Sequence, residues 1–316
     1  MFTKQHLEVA YDLIKYMEQN FDEKREVPCF ENALARWALE CATVFATETK
    51  IGVFEKNLEA DTKLFIESTL DLFTIWSKLL YSVPVWKYFE TKLVKRLKQR
   101  QQDQITSLNQ YLKRTSQNGE TRFSTMIANS ELKQSEKEVV FLDILGAAVD
   151  TTSNAASFLL YCLATNPDKQ DILRQEIEQF LNSGKEFTGK ALQQMKYLHA
   201  VNMEAQRLYP LTLGSARTIQ SDMVLSGYHV PAGTPVTFSA NIMNNRNPQY
   251  FKDPDSFIPE RWLERSKENR FVMSGSFEIG SRMCPLSRSS ICFTGSWMFG
   301  NCVVESISNR ISLRTV

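Results

Sequence analysis

Hydrophobic positions recur at helical spacing through most of the first two hundred residues. Segments of that period run around Glu31 to Thr49, Asp61 to Leu80, Phe89 to Thr115 and Ser135 to Thr165, where apolar side chains three and four apart fall on one face. Proline divides the chain the same way. Only Pro28, Pro84 and Pro167 interrupt the first two hundred residues, whereas seven prolines lie from Pro210 to Pro285, a density that ends helices and favours turns. Asn166-Pro167-Asp168 supplies an N-cap, a first-turn proline and a first-turn acid, and Leu173, Ile177, Phe180 and Leu181 line one face of the helix that follows. A further helix is predicted over about 190–209. Past Pro210, MVLSGYHVPAGTPVTFS reads as two short strands, Val224-Leu225 and Val236 to Phe238, flanking turns at Ser226-Gly227 and Pro231 to Gly233. The pattern predicts a mainly α fold with small β-sheets and shows no internal repeat.

Composition narrows the function classes only slightly. The 316 residues carry 37 basic and 36 acidic side chains, a formal charge of +1, so no bulk field argues for nucleic acid or a strongly charged partner. Six cysteines, Cys29, Cys41, Cys162, Cys284, Cys292 and Cys302, are scattered without a C-x-x-C pair or histidines at zinc-finger spacing, which fits a reducing compartment better than a disulfide framework. No run approaches the roughly 18 apolar residues of a membrane span. The opening MFTKQHLEVAYDL reads neither as a secretory signal nor as a transit peptide.

Chemistry enters first in the long central helix, about 135–166. Ser135-x-x-Glu138 is a capping-box start, and a helix of about 30 residues runs about 45 Å at 1.5 Å per residue. Its middle reads GAAVDTTS, with Gly146, Ala147 and Ala148 followed by Asp150, Thr151, Thr152 and Ser153. Two readings stay open: a flat ligand presses on the small-residue notch, or the alanines pack closely on another helix while Asp150 and Ser153 face water. The first predicts that the face bearing Ala147 and Thr151 borders a cavity sized for a flat group.

A second constellation is MEAQRLYP, with Glu204 and Arg207 three apart on a helix that ends before Pro210. Such a pair is ordinarily a surface ion pair. Arg261 in FIPERWL offers a second guanidinium that can share the carboxylate and tie a proline-rich loop to the helix. Glu204, Arg207 and Arg261 are therefore expected to form one buried network.

These pieces, with F-x-x-G-x-R-x-C from Phe277 to Cys284, resemble the haem-thiolate monooxygenases, the cytochrome P450 family, in order and near its spacing. RWALECATVFATETKIGVF and SVPVWKYFETKL resemble its mitochondrial branch. The resemblance implies haem b with the Cys284 thiolate as axial ligand to iron. Gly280 then permits the tight turn of the haem-binding loop 277–284, Phe277 shields the sulfur, Arg282 meets a propionate and Arg217 another. It also implies that Thr151 and Asp150 form a catalytic pair relaying protons to bound oxygen. The activity implied is hydroxylation of a small apolar, sterol-like or xenobiotic substrate with O2. Electrons come from a ferredoxin-type donor, in a mitochondrion on the matrix side of the inner membrane, with the endoplasmic reticulum membrane as the alternative. MKYLHAVNMEAQR departs by placing His199 and Met203 where that branch often has lysines for an acidic ferredoxin.

On family precedent residues 1–284 form a partial, incomplete P450-like domain, a fragment without the first third of the fold. Residues 285–316 form a divergent tail expected to be disordered. Leu286 stands where the family has glycine, and serines at 287, 289, 290, 296, 306, 308 and 312 break the apolar period of the helix expected there. The tail reads as foreign sequence from a changed reading frame or an unspliced intron. Two function classes remain: a haem monooxygenase domain, or a truncated non-catalytic remnant that binds haem weakly or not at all.

VPVWKYFETKLVKRLKQR joins Trp86, Tyr88 and Phe89 to Lys92, Lys95, Arg96, Lys98 and Arg100. It reads either as a peripheral membrane contact or as a solvated helix face.

Overall fold

A computed structural model of the chain describes residues 2–24, 26–80, 82–115, 129–186, 188–212, 215–238 and 245–263, together with Phe277 and Cys284. The described residues fall into two compact units. One is built from residues up to Ala156 with Glu186–Gly189, the other from Ser157–Lys185 and from Lys190 onward.

In the first unit, helix α1 (Phe2–Gln19) packs on α2 (Phe30–Thr47) and α3 (Ala60–Leu80) on α4 (Lys92–Thr115). The sequence reading did not include α1, although His6, Val9, Ala10, Leu13, Ile14 and Met17 are all buried at helical spacing. Helix α2 is buried nearly all round, including Trp37, Leu39 and Cys41, and two of its threonines satisfy themselves within the helix. Thr43 Oγ1 donates to the Leu39 carbonyl and Thr47 Oγ1 to that of Thr43, both at 2.9 Å.

The chain after α2 is folded back by Glu40. Its buried carboxylate accepts the amides of Gly52 at 3.1 Å and Val53 at 2.7 Å, and burial raises its pKa against the lowering effect of those amides. Gly52 sits at φ 82°, where a Cβ would meet the Glu55 side chain at 2.8 Å, so the turn requires glycine. Between α3 and α4, Asp71 accepts from Arg96 at 2.6 Å and from Arg100 at 2.9 Å.

Helix α5 (Gln134–Ala164) begins one residue before Ser135, which corrects the expected cap. The N-terminal bracket is instead Glu136, whose carboxylate accepts the Lys133 amide at 2.7 Å, because an acid three residues into the helix reaches back to the capping amide. The next boundary also differs in mechanism. Asn166 precedes α6 (Pro167–Asn182) but makes no side-chain cap to it. Its amide donates backward to the Cys162 carbonyl at 2.8 Å, closing the end of α5, whose last carbonyls lack partners along the helix.

The helix expected over 190–209 is two helices, α7 (Gly189–Gln194) and α8 (Lys196–Leu208), separated by an extended Met195 at φ −78° and ψ 92°. Four short strands follow. Strands β1 (Ser215–Thr218) and β4 (Pro235–Phe238) pair antiparallel, with Ser215 opposite Phe238. Strands β2 (Met223–Leu225) and β3 (Tyr228–Val230) form a hairpin between them in the chain. The hairpin turn has positive φ at Ser226 (49°) and Gly227 (87°), the two-residue geometry that suits twisted strands. A 3-10 turn at Pro259–Trp262 completes the second unit, where Ala200, Phe251 and Trp262 form a buried cluster with Met203 against it.

Candidate functional site

Helix α8 and the Pro259–Trp262 turn bring Glu204, Arg207 and Arg261 together. The Glu204 and Arg207 side chains have no exposed surface. Glu204 accepts from Arg207 Nε and Nη2, both at 2.9 Å, and from Arg261 Nε at 3.0 Å. Two further donors are the Ile258 amide at 3.0 Å and the Trp262 indole at 2.7 Å. Arg207 also donates to the carbonyls of Asn245, Pro254 and Ser256, and Arg261 to those of Lys252 and Asp253. The two guanidinium groups lie 4.9 and 5.8 Å from the Phe251 ring centre. This many donors satisfy a buried carboxylate without water, so the network fixes the course of residues 245–262 over α8.

A second set of anchors was not anticipated. Glu176 of α6 accepts the amides of Tyr197 and Leu198, both at 2.9 Å, and so caps α8 from another helix where Met195 has no oxygen to offer. Glu260, beside Arg261, accepts from Tyr197 Oη at 2.8 Å and Lys169 Nζ at 3.1 Å. Burial, with the hydrogen bond to Glu260 and its charge adding to it, raises the pKa of the Tyr197 phenol well above its ordinary value. PERW held the signal for Glu260 and Trp262, since both flank Arg261. Glu176 left none, because its partners are backbone amides twenty residues away.

Cys284 is a free, half-buried thiol. Its amide donates to the Phe277 carbonyl at 2.9 Å. Gly280, Arg282, Leu286 and the segment 285–316 lie outside the described residues, and so do the roles expected of them. Arg217 stands exposed on β1, with Nη1 donating to the Ala216 carbonyl at 2.9 Å.

On α5 the Thr151 hydroxyl donates to the Ala147 carbonyl at 2.7 Å, the back-bonding expected of a mid-helix threonine. Asp150 accepts from the Asn154 amide through its backbone carbonyl at 2.9 Å and through Oδ1 at 3.2 Å. Ala147, Asp150 and Thr151 are exposed, not enclosed as the cavity expectation required. The helix buries a different stripe, Leu145, Ala148, Val149, Thr152, Ala156 and Leu159. The periodicity of these apolar residues turns the small polar face outward. Gly146 on this helix has no atom within 4 Å of where a Cβ would stand. The half-buried free thiol of Cys284 is compatible with a thiolate-ligated group.

Comparison with known proteins fits this reading. The family model for cytochrome P450 matches residues 2–285. A Drosophila melanogaster protein described as probable cytochrome P450 12a5, mitochondrial, is 34% identical across 90% of this chain and 58% of its own length. Cytochrome P450 CYP12A2 of Musca domestica is 36% identical across 77% of the chain and 48% of its own length. The crystal structure of the cytochrome P450DA heme domain superposes with a TM-score of 0.75 at 20% identity, over 94% of this chain and 65% of that one. The chain thus spans about half the length of these curated relatives. With the family model matching residues 2–285, and with these relatives above 30% identity, this chain belongs to the cytochrome P450 family.

Proposed function

We propose that the chain forms the haem-bearing part of a monooxygenase that hydroxylates a small apolar substrate, sterol-like or xenobiotic, with O2. The observation that carries this reading is the hydrogen bond from the Cys284 amide to the Phe277 carbonyl, in a chain that the family model matches over residues 2–285. The relative described as mitochondrial supports a mitochondrial setting; the matrix side of the inner membrane and a ferredoxin-type electron donor belong to the proposal itself.

Haem b on a cysteine thiolate supplies oxygen activation, because the sulfur donates electron density that favours O–O cleavage. Cys284 Sγ is the residue to hold the iron, with Phe277 beside it, and Gly280, Arg282 and Arg217 serve the turn and the propionates. Thr151 and Asp150 handle protons. A hydroxyl that donates to Ala147 keeps lone pairs to accept a hydrogen bond, and it can pass a proton outward only by turning from that carbonyl. In this proposal Asp150, one residue earlier and exposed, takes protons from water and hands them on to the hydroxyl.

The test is the visible spectrum of the reduced, carbon-monoxide-treated chain after haem loading. A thiolate-type band that Cys284→Ser abolishes is expected. Thr151→Ala should keep that band and yield at least about tenfold less product per electron consumed. A chain that takes up no haem in thiolate form overturns the proposal.

A further inference from the structure

Glu40 is buried in the middle of α2, and each of its two oxygens holds one backbone amide of the chain that follows the helix. Oε1 accepts from Gly52 at 3.1 Å and Oε2 from Val53 at 2.7 Å. The side chains beside these amides are packed too. Ile51 and Val53 are buried, and the Phe54 ring centre lies 5.0 Å from that of Tyr16 on α1. The Gly52 carbonyl accepts the Glu55 amide at 2.9 Å. The turn that leads from α2 toward the start of α3 at Ala60 is thus gathered on one carboxylate.

The charges around Glu40 oppose proton uptake only in part. Lys50, on the turn, attracts its charge, but the Lys50 ammonium is bound by Asp12 of α1 at 2.8 Å and is drawn by Glu8 as well. Glu55 lies against Gly52 and brings a second acid to the turn. From α1, His6 Nε2 lies 3.2 Å from the Cys41 carbonyl. On α2 itself the Cys41 thiol is pushed up by burial and by the Glu40 charge. On α3, Asp61 is occupied with the Thr62 amide at 2.7 Å. Burial outweighs the two amides and Lys50 and raises the Glu40 pKa, so its proton arrives before those of ordinary exposed carboxylates.

We infer that Glu40 is a proton-operated latch: charged, it clamps the turn at residues 51–53 onto α2, and protonated, it releases one amide and loosens the chain leading into α3. The reason is the geometry of the two bonds. A carboxylate accepts on both oxygens, whereas a carboxylic acid carries a hydroxyl on one of them. With a donor already facing each oxygen, the proton sets that hydroxyl against a backbone N–H, which loses a charged acceptor and gains a weak one. Gly52 at φ 82° lets the turn change course without a side chain in the way.

The test is amide hydrogen exchange of the full chain, read from about pH 8 down to about pH 4.5 and corrected for intrinsic rates. Protection of the Gly52 or Val53 amide is expected to fall at least about tenfold in a one-proton transition, while the amides around Leu39 on α2 keep theirs. The Glu40 carboxyl carbon, followed by NMR, should titrate with the same midpoint. Glu40→Gln offers one oxygen only, so one of the two amides should be weakly protected at every pH. Four results overturn the inference: wild-type protection independent of pH, midpoints that differ, loss of protection shared equally by all of α2, or a folded variant that protects both amides. Should the variant fail to fold, agreement or disagreement of the two wild-type midpoints decides. Exchange is read with or without haem, so its outcome is separate from that of the monooxygenase proposal.

Discussion

At Glu204 five hydrogen bonds meet a carboxylate that has no exposed surface. Removing Arg261 leaves Glu204 paired with Arg207 but one charged donor short, which costs about 1.5 to 3 kcal/mol. Arg261→Ala is therefore expected to lower unfolding stability by that amount in a denaturant titration, and Arg261→Lys to recover little, since a single ammonium cannot reach Glu204 and two carbonyls in one plane. A loss under about 1 kcal/mol would show the network to be dispensable. Cys162 is set by the same neighbourhood. Burial, with the Glu204 charge adding to it, pushes its thiol up to about 12. It should resist iodoacetamide at pH 8 in the native protein while exposed Cys29 is alkylated, a contrast that mass spectrometry of the labelled peptides reads directly.

Among elements, α8 depends on α6 for its start. Glu176→Ala leaves the Tyr197 and Leu198 amides uncapped and should cost about 1 to 2 kcal/mol, measured as a lowered denaturation midpoint with unchanged slope. Glu176→Gln should recover part of it, since one amide oxygen still accepts.

That cap also shows what the sequence could not carry. The ends of α2, α3, α4 and α5 fall within a few residues of the predicted segments, because each has an apolar stripe of helical period. The Glu204, Arg207 and Arg261 grouping was legible because three charged residues stood in a recognisable order. The break at Met195 was not, since no proline or glycine marks it and the capping charge comes from another helix. Strands β1 and β3 were missed for a related reason: three or four residues are too few for alternation to show. Helix α1, not expected from the sequence, does carry a readable stripe of buried residues from His6 to Met17.

For the whole molecule, pH acts through carboxylates of opposite sense. Burial raises the Asp71 pKa, but the hydrogen bonds and charges of Arg96 and Arg100 outweigh it and bring it below the ordinary value. Glu260 is likewise desolvated, yet its own backbone amide, Tyr197 and Lys169 lower it. A carboxyl whose folded pKa is depressed contributes stability that is complete above its unfolded pKa, near 4, and lost as pH falls through the folded value. Glu40 runs the other way: with its folded pKa raised, its contribution is complete below the unfolded value and declines as pH rises through the folded one. The melting temperature should therefore fall as pH drops below about 4. Asp71→Asn, which removes the proton linkage at that site, should flatten this acid limb while lowering the plateau. An unchanged acid limb in the variant would mean that the link between α3 and α4 contributes nothing to acid sensitivity.

The buried Glu204 has a consequence in time. The indole that completes its shell, that of Trp262, lies 58 residues farther along the chain. At about 5 to 20 residues per second of synthesis, α8 emerges some 3 to 12 seconds before the segment that shields its charges. During that interval the carboxylate and its arginine have only each other and water. The helix cannot settle into the interior it will occupy, so Leu198, Val201 and the other apolar residues of that helix wait uncovered. A nascent chain paused between these points should be held by chaperones, and one paused past Trp262 should be released.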